Sequence, residues 1–342
     1  MKYPLTIKIA AVIIIIGGIK LSAVFLTPVL LGMFFAIILA PLFYWLEKKN
    51  IPLWLALVIV ITAIIGGGLG FSLIIASTIN QFTNRLPFYT EQYQEITKTA
   101  VVYLKNLGFS LSKNTVPAIL ESKKFLGFAS GFLQSLGNMI SQLFLMWLVA
   151  IFILLEIKSI PGRIKNGFPD NPKALEQFNE ISAKMLRYIG IKTLVSLFTG
   201  IIITLWTLVV GLDFPLFWGL LAFLMNYIPN IGSFLAAIPA VILALITHGS
   251  IGALLVGIGF LLTNLILGNF IEPRVMGHGT GLSPAVVFIS MVFWGWVLGP
   301  VGMFLSVPLT AMVKIFLESR PQTRGIAYLL GDPSIKEKKS GA

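Results

Sequence analysis

FPLFWGLLAFLMNYIPNIGSFLAAIPAVILALIT, residues 214–247, runs for 34 positions without a charged side chain. A helix that crosses a bilayer needs about 20 apolar residues. The run is too long for one such span. Its interruption at Pro229-Asn230-Ile231-Gly232 leaves halves of about 15 residues, too short for two. The segment is therefore either a re-entrant hairpin or two short tilted helices, and both bring the chain back to the side it left. A second segment, LSPAVVFISMVFWGWVLGPVGMFLSVPLTAMVKIFL (residues 282–317), has the same character and breaks at Pro300-Val301-Gly302. Phe-Trp-Gly precedes each break, at 217–219 and 293–295. Paired, interrupted apolar segments are a mark of internal repeats in secondary transporters, whose half-helix ends meet at a central solute site. Broken backbone is tolerated at membrane depth only where protein or a water-filled cavity satisfies it. The plainer alternative is a pair of kinked packing helices.

The rest of the chain agrees with lipid as its solvent. Of 342 residues, 57% are hydrophobic and 11% charged, where soluble domains carry about 25%. Leu5–Leu46 is long enough for two helices with a turn near Lys20–Pro28, Pro28 suiting the first turn of the second. Further spans are expected within Ile51–Thr78, Met139–Leu155, Leu194–Leu212 and Ile251–Ile271. The fold class is an all-α polytopic membrane protein with about six full spans plus two broken, hairpin-like segments, about eight by hydropathy. The first span reads as uncleaved, since no small-residue cleavage site follows it. We divide the chain into N-terminal spans (1–79), an extramembrane helical insert (80–138), a main transport domain (139–318) with a cytoplasmic loop at 158–192, and a cytoplasmic tail (319–342).

The net charge is +12, but the basic residues sit in gaps between apolar runs, as cytoplasmic loops require. That distribution argues against a nucleic-acid partner. It places both termini on the cytoplasmic side, and the expected location is the bacterial inner membrane. There is no cysteine, which excludes disulfides and thiolate metal sites.

Candidate chemistry gathers in the C-terminal half. Glu272 and Arg274 flank Pro273 at the end of an apolar run; ionisable groups so placed line a solute path, pair internally, or close the helix at the interface. We take Glu272, Pro273 and Arg274 as gating or coupling candidates. Asn264 and Asn269, five apart, would stand about 140° apart on an α-helix. Asn226, Tyr227 and Asn230 surround the first break and offer neutral donors and acceptors, or else cap its helix ends. With the break residues Pro229, Gly232, Pro300 and Gly302 and with Asn264 and Asn269, they form the expected solute-binding set. His248 and His278 lack clustered carboxylates and make no convincing metal site. Gly66–Gly70, Gly127–Gly131 and Gly295–Gly299 match the small-residue spacing of helix contacts. No phosphate-binding loop, H-E-x-x-H or G-x-S-x-G occurs, so neither an ATP-driven pump nor a hydrolase is indicated, and no cofactor is expected.

Three motifs in order, FWGLLAFLMNYIPNIG (217–232), GNFIEPRVMG (268–277) and FWGWVLGPVG (293–302) continuing to SVPL (306–309), resemble the autoinducer-2 exporter family. The resemblance implies export of a small furanone-type signal and a homo-oligomer in membrane lipid. It also admits a sodium- or lithium-proton antiporter or a permease of another solute, since members of the family are described in each way. A passive membrane scaffold is the reading from outside the transporter class.

Overall fold

A computed structural model describes residues 5–106, 127, 131, 144–157, 159–167, 174–229, 231–276, 281–318 and 323–331. The helices are α1 (Leu5–Leu21), α2 (Ala23–Lys48) and α3 (Leu53–Asn106), then α4 (Phe144–Glu156) and α5 (Ile160–Gly167). They continue with α6 (Ala174–Val210), α7 (Pro215–Met225), α8 (Gly232–Thr263), a π-helical segment (Asn264–Ile271) and α9 (Glu272–Met276). The chain then forms α10 (Pro284–Leu298), α11 (Pro300–Glu318) and α12 (Arg324–Leu329). Among the described residues the only β-type pairing is an isolated bridge between Leu282 and Gly331.

The molecule is an all-α polytopic membrane fold. Among the described residues, five helical runs are long and apolar enough to cross a bilayer, or six if α4 and α5, bent by 71°, count as one broken span. This differs from the expected six spans plus two broken segments. Leu5–Leu21 has only 17 residues, about 26 Å of helix against a hydrocarbon core of about 30 Å. α7 and α10 are shorter still. Pro28 also lies deeper than expected, inside α2, because the break after α1 falls at Ser22. Outward-facing side chains are apolar: Ile14, Val209 and Leu254 are 73%, 82% and 63% exposed. In water such a surface would be a large uncompensated patch.

One long apolar run is not a straight helix. Ser233 Oγ donates to Asn264 Oδ1 at 3.0 Å, although 31 residues of straight helix would separate them by about 46 Å. The chain folds back at Gly249, whose φ of 68° and ψ of −164° interrupt α8, and Val241 meets Gly257 across the arms. α10 and α11 form a second hairpin, folded at Gly299 with φ 70° and ψ −155°, and Trp294 Nε1 donates to Thr310 Oγ1 at 3.0 Å across it. The two apices share a backbone conformation that is nearly exclusive to glycine.

Close approach explains two further glycines. A Cβ on Gly232 would stand 1.7 Å from the Met225 carbonyl oxygen, and one on Gly302 would stand 1.9 Å from that of Trp294. The breaks that resemble each other in sequence are thus turns in which a glycine rests on the backbone of the preceding helix. The Gly66–Gly70 pair, by contrast, faces open space, and Gly68 is the residue that packs, on Trp147 of α4.

Packing divides the helices. One core joins α2, α3 and α4 through Phe43, Val60 and Leu154. Another sets Ile75 and Tyr89 of α3 against Phe217, Trp218 and the first hairpin. A third brings Phe34 of α2, Ile189 of α6 and Tyr227 to the second hairpin at Leu298 and Leu305. The 54 residues of α3 make a rod of about 80 Å, and the change to polar sequence at Asn80 falls inside this single continuous helix. The rest of the expected insert, apart from Gly127 and Gly131, lies outside the described residues.

Candidate functional site

α6 gathers the candidate groups. Its apolar stretch begins at Met185, earlier than the Leu194 start read from sequence, so Lys192 stands on a membrane helix. The lysine is only 6% exposed. Its Nζ donates to Glu272 Oε1 at 2.7 Å and to Oε2 at 2.9 Å. A charge is tolerated there because its counter-charge is delivered from 80 residues further on.

The next residues on α6 receive the first break. Thr193 Oγ1 donates to the Ile189 carbonyl at 2.8 Å and accepts the Tyr227 hydroxyl at 2.7 Å. Asn226 Nδ2 donates to Ser196 Oγ at 2.9 Å, and that bond is buried. The Tyr227 ring meets Phe34, Phe223 and Phe304 at 5.7, 5.7 and 4.6 Å between centroids. One tyrosine therefore touches α2, α7 and the second hairpin while its hydroxyl holds α6.

Not all of the expected set converges. Asn226, Tyr227 and Glu272 meet α6 at partners inside one five-residue stretch, Lys192 to Ser196. Gly232 and Gly302 are buried at their turns, Pro229 is half-buried and Pro300 exposed. Asn264 is held by Ser233. Asn269, Pro273 and Arg274 are exposed, and Glu272 turns to Lys192 rather than to Arg274. Asn230 and His278 lie outside the described residues. The 140° separation expected of Asn264 and Asn269 does not apply, because their segment is π-helical and residues five apart close a turn there.

Lys192 is the residue that sequence reading missed. A usable signal was present, an ionisable side chain between Ile189-Gly190-Ile191 and Leu194-Val195, the setting in which an intramembrane charge requires a partner.

A second polar cluster lies where α6 turns into α7. Asp213 accepts from Arg85 Nη1 and from the Tyr89 hydroxyl at 2.8 Å. Its backbone carbonyl takes Trp218 Nε1 at 2.7 Å, while Phe214 adopts a left-handed backbone at φ 63°. The cluster fastens the polar half of α3 to the start of the first broken segment. A shallow hollow lined by Thr83, Leu86, Pro87, Thr90, Glu91 and Gln94 is formed by α3 alone and touches neither cluster. Among the described residues no buried polar side-chain atom lacks a hydrogen-bond partner, and no group of acidic, histidine or cysteine side chains could hold a metal ion.

Many membrane helices, two glycine-folded hairpins and a charge pair inside the bundle define a multi-pass membrane protein. Residues 9–322 match the profile of the AI-2E family transporters, and the chain belongs to that family. It is 37% identical over 330 residues to the AI-2 transport protein TqsA of Escherichia coli K12, covering 96% of this chain and 95% of TqsA. Similarity of the same degree, 37% over 335 residues and 95% of each chain, links it to a putative transport protein of Haemophilus influenzae. The E. coli K12 putative transport protein YhhT is 32% identical over 335 residues, 98% of this chain and 96% of its own. These relatives are transport proteins, and this chain is a transporter rather than an enzyme.

Proposed function

We propose that the chain is a secondary transporter that exports autoinducer-2, working by alternating access between the two faces of the inner membrane. The observation that carries the cargo is the 37% identity to TqsA along nearly the whole of both chains. Solute contacts are assigned to Asn226, Tyr227, Pro229, Asn230, Gly232, Asn264, Asn269, Pro300 and Gly302, with Glu272, Pro273 and Arg274 gating or coupling. Supporting this, Asn226, Tyr227 and Asn264 are neutral groups whose present partners are hydroxyls of Ser196, Thr193 and Ser233. A hydroxylated solute offers the same kind of donor and acceptor as these partners, so it can take over the bonds to Asn226, Tyr227 and Asn264.

The finer architecture belongs to the same proposal. Six full spans accompany the two hairpin-like segments, α2–α4 and their neighbours form a scaffold, and the C-terminal hairpins carry solute past it. Both termini face the cytoplasm, and the working unit is a homo-oligomer. Efflux of labelled autoinducer-2 from vesicles tests the cargo. Saturable flux that depends on the protein and is lost in Asn226→Ala and Glu272→Gln is expected; no flux from folded protein overturns the assignment.

A second reading has one observation in its favour, the Glu272 carboxylate held inside the helices beside Lys192. A titratable acid in that position suits cation–proton antiport. Sodium- or lithium-dependent proton flux abolished by Glu272→Gln would support it, and unchanged flux would remove it.

A further inference from the structure

Between Thr263 and Glu272 the helix is wound differently from its neighbours. Asn264–Ile271 is π-helical, and the Glu272 N–H accordingly reaches back to the Leu267 carbonyl. Wide turns are rare, usually limited to a single turn, and recur at functional positions. Eight residues of π-helix within an α-helical run therefore need something to hold them.

Both ends are tied by side chains. At the start, Asn264 Oδ1 accepts from Ser233 Oγ, on the opposite arm of the same hairpin. At the end, Glu272 takes both short bonds from Lys192 of α6. The first tie is neutral and travels with the hairpin. The second is ionic and joins the hairpin to another helix. Opening it exposes two charges, which is tolerable only when water or a polar solute replaces the lost partners.

We propose that Lys192 is a positioning residue for transport. By holding Glu272 it keeps Asn264–Ile271 in the π register, and release of the pair lets that segment rewind to α. A wide turn contains one residue more than an α turn, so losing one rotates everything beyond it by one residue, about 100°. Glu272 then leaves α6, and the exposed Asn269 turns relative to the Ser233 arm. The gate is thus a change of helical register, with the ion pair as its catch. The purpose of this catch rests on the transporter reading above, but its existence can be tested without any solute.

The absence of cysteine makes a single introduced thiol a clean reporter. Asn269→Cys in the full-length protein, held in lipid nanodiscs, is reacted with a water-soluble maleimide. The rate is compared in four backgrounds: native Lys192, Lys192→Arg, Lys192→Met, and Lys192→Met with Glu272→Gln. We expect the rate to change at least fivefold in both methionine backgrounds and to stay within twofold of native in the arginine background. The doubly neutral background leaves no unpaired charge, so it reports on register even if the single methionine variant misfolds. Equal rates in all four backgrounds would overturn the proposal. So would a change of the same size at a distant control thiol, Lys49→Cys, which would show general loosening instead. Because no solute enters this experiment, its failure and a failed autoinducer-2 flux assay are separate results.

Discussion

Ser233 and Asn264 stand 31 positions apart along the chain and share a hydrogen bond of 3.0 Å. That one contact converts a helix of apparent double-span length into a hairpin, and it locates the fold-back at Gly249. The same construction recurs at Gly299 between α10 and α11. Two apolar hairpins, each turned at a glycine and each meeting α6 or its partners, frame the candidate site.

The apices should be intolerant of any side chain. Gly249→Ala and Gly299→Ala force an L-residue into a backbone region used almost only by glycine, and each is expected to cost about 1–3 kcal/mol. No atom lies within 4 Å of the added Cβ at either position, so the loss would come from conformation alone. Gly66→Ala, in a helix and facing open space, is the control and should be neutral or stabilising by up to about 1 kcal/mol. Thermal unfolding in detergent measures all three.

At the two turns the obstacle is steric. Gly232→Ala and Gly302→Ala drive a methyl into the carbonyls of Met225 and Trp294, and backbone cannot swing aside as a side chain would. We expect losses at or above the upper end of about 1–3 kcal/mol. The yield of monodisperse protein on size-exclusion chromatography is the measurement. Similar losses for both would support the equivalence of the two breaks, and wild-type behaviour of either would contradict the packing described.

The buried ion pair should show strong coupling in stability. Lys192→Met alone leaves a buried carboxylate unpaired, at a cost of about 3–5 kcal/mol. Adding Glu272→Gln removes the orphaned charge and should recover most of that loss. A double-mutant cycle from melting curves checks this. Strict additivity would mean that the two side chains do not share their energy.

Tyr89→Phe tests the second cluster. It deletes the hydroxyl bond to Asp213 while leaving Arg85 in place, and a bond to a carboxylate contributes about 1.5–3 kcal/mol. Faster amide exchange at the α6–α7 corner is expected, with α4 unchanged. An unaltered corner would show that Arg85 and Trp218 hold Asp213 without it.

Much of this organisation was legible in the residues, for identifiable reasons. The first fold-back was not, since the sequence places the break of residues 214–247 at Pro229–Gly232, whereas the chain folds back at Gly249, beyond that segment. Pro and Gly marked both breaks because proline ends a helix and glycine admits close backbone contact. Lys192 was harder to place. Counting basic residues assigns a lysine near a helix end to the aqueous loop, and against that count stand only its apolar flanks in the sequence and its partner Glu272, 80 residues away. The π-helical winding of Asn264–Ile271 was not legible either, since its composition resembles that of any apolar helix and the winding is fixed by ties at its two ends. Similarly, the spacing of Gly66 and Gly70 suggested a helix contact, yet the glycine that packs within the chain is Gly68.

The length of α3 has a mechanical consequence. Its apolar half is seated among α2 and α4, and its polar half continues in the same unbroken helix to Asn106. A rod of about 80 Å that pivots by ten degrees at its lipid end sweeps its far end through roughly 14 Å. The Asp213 cluster grips this rod at Arg85 and Tyr89, more than halfway along. Small tilts among the packed helices are thereby magnified at the far end of the rod, and a tag near Asn106 becomes the pointer on which they can be read.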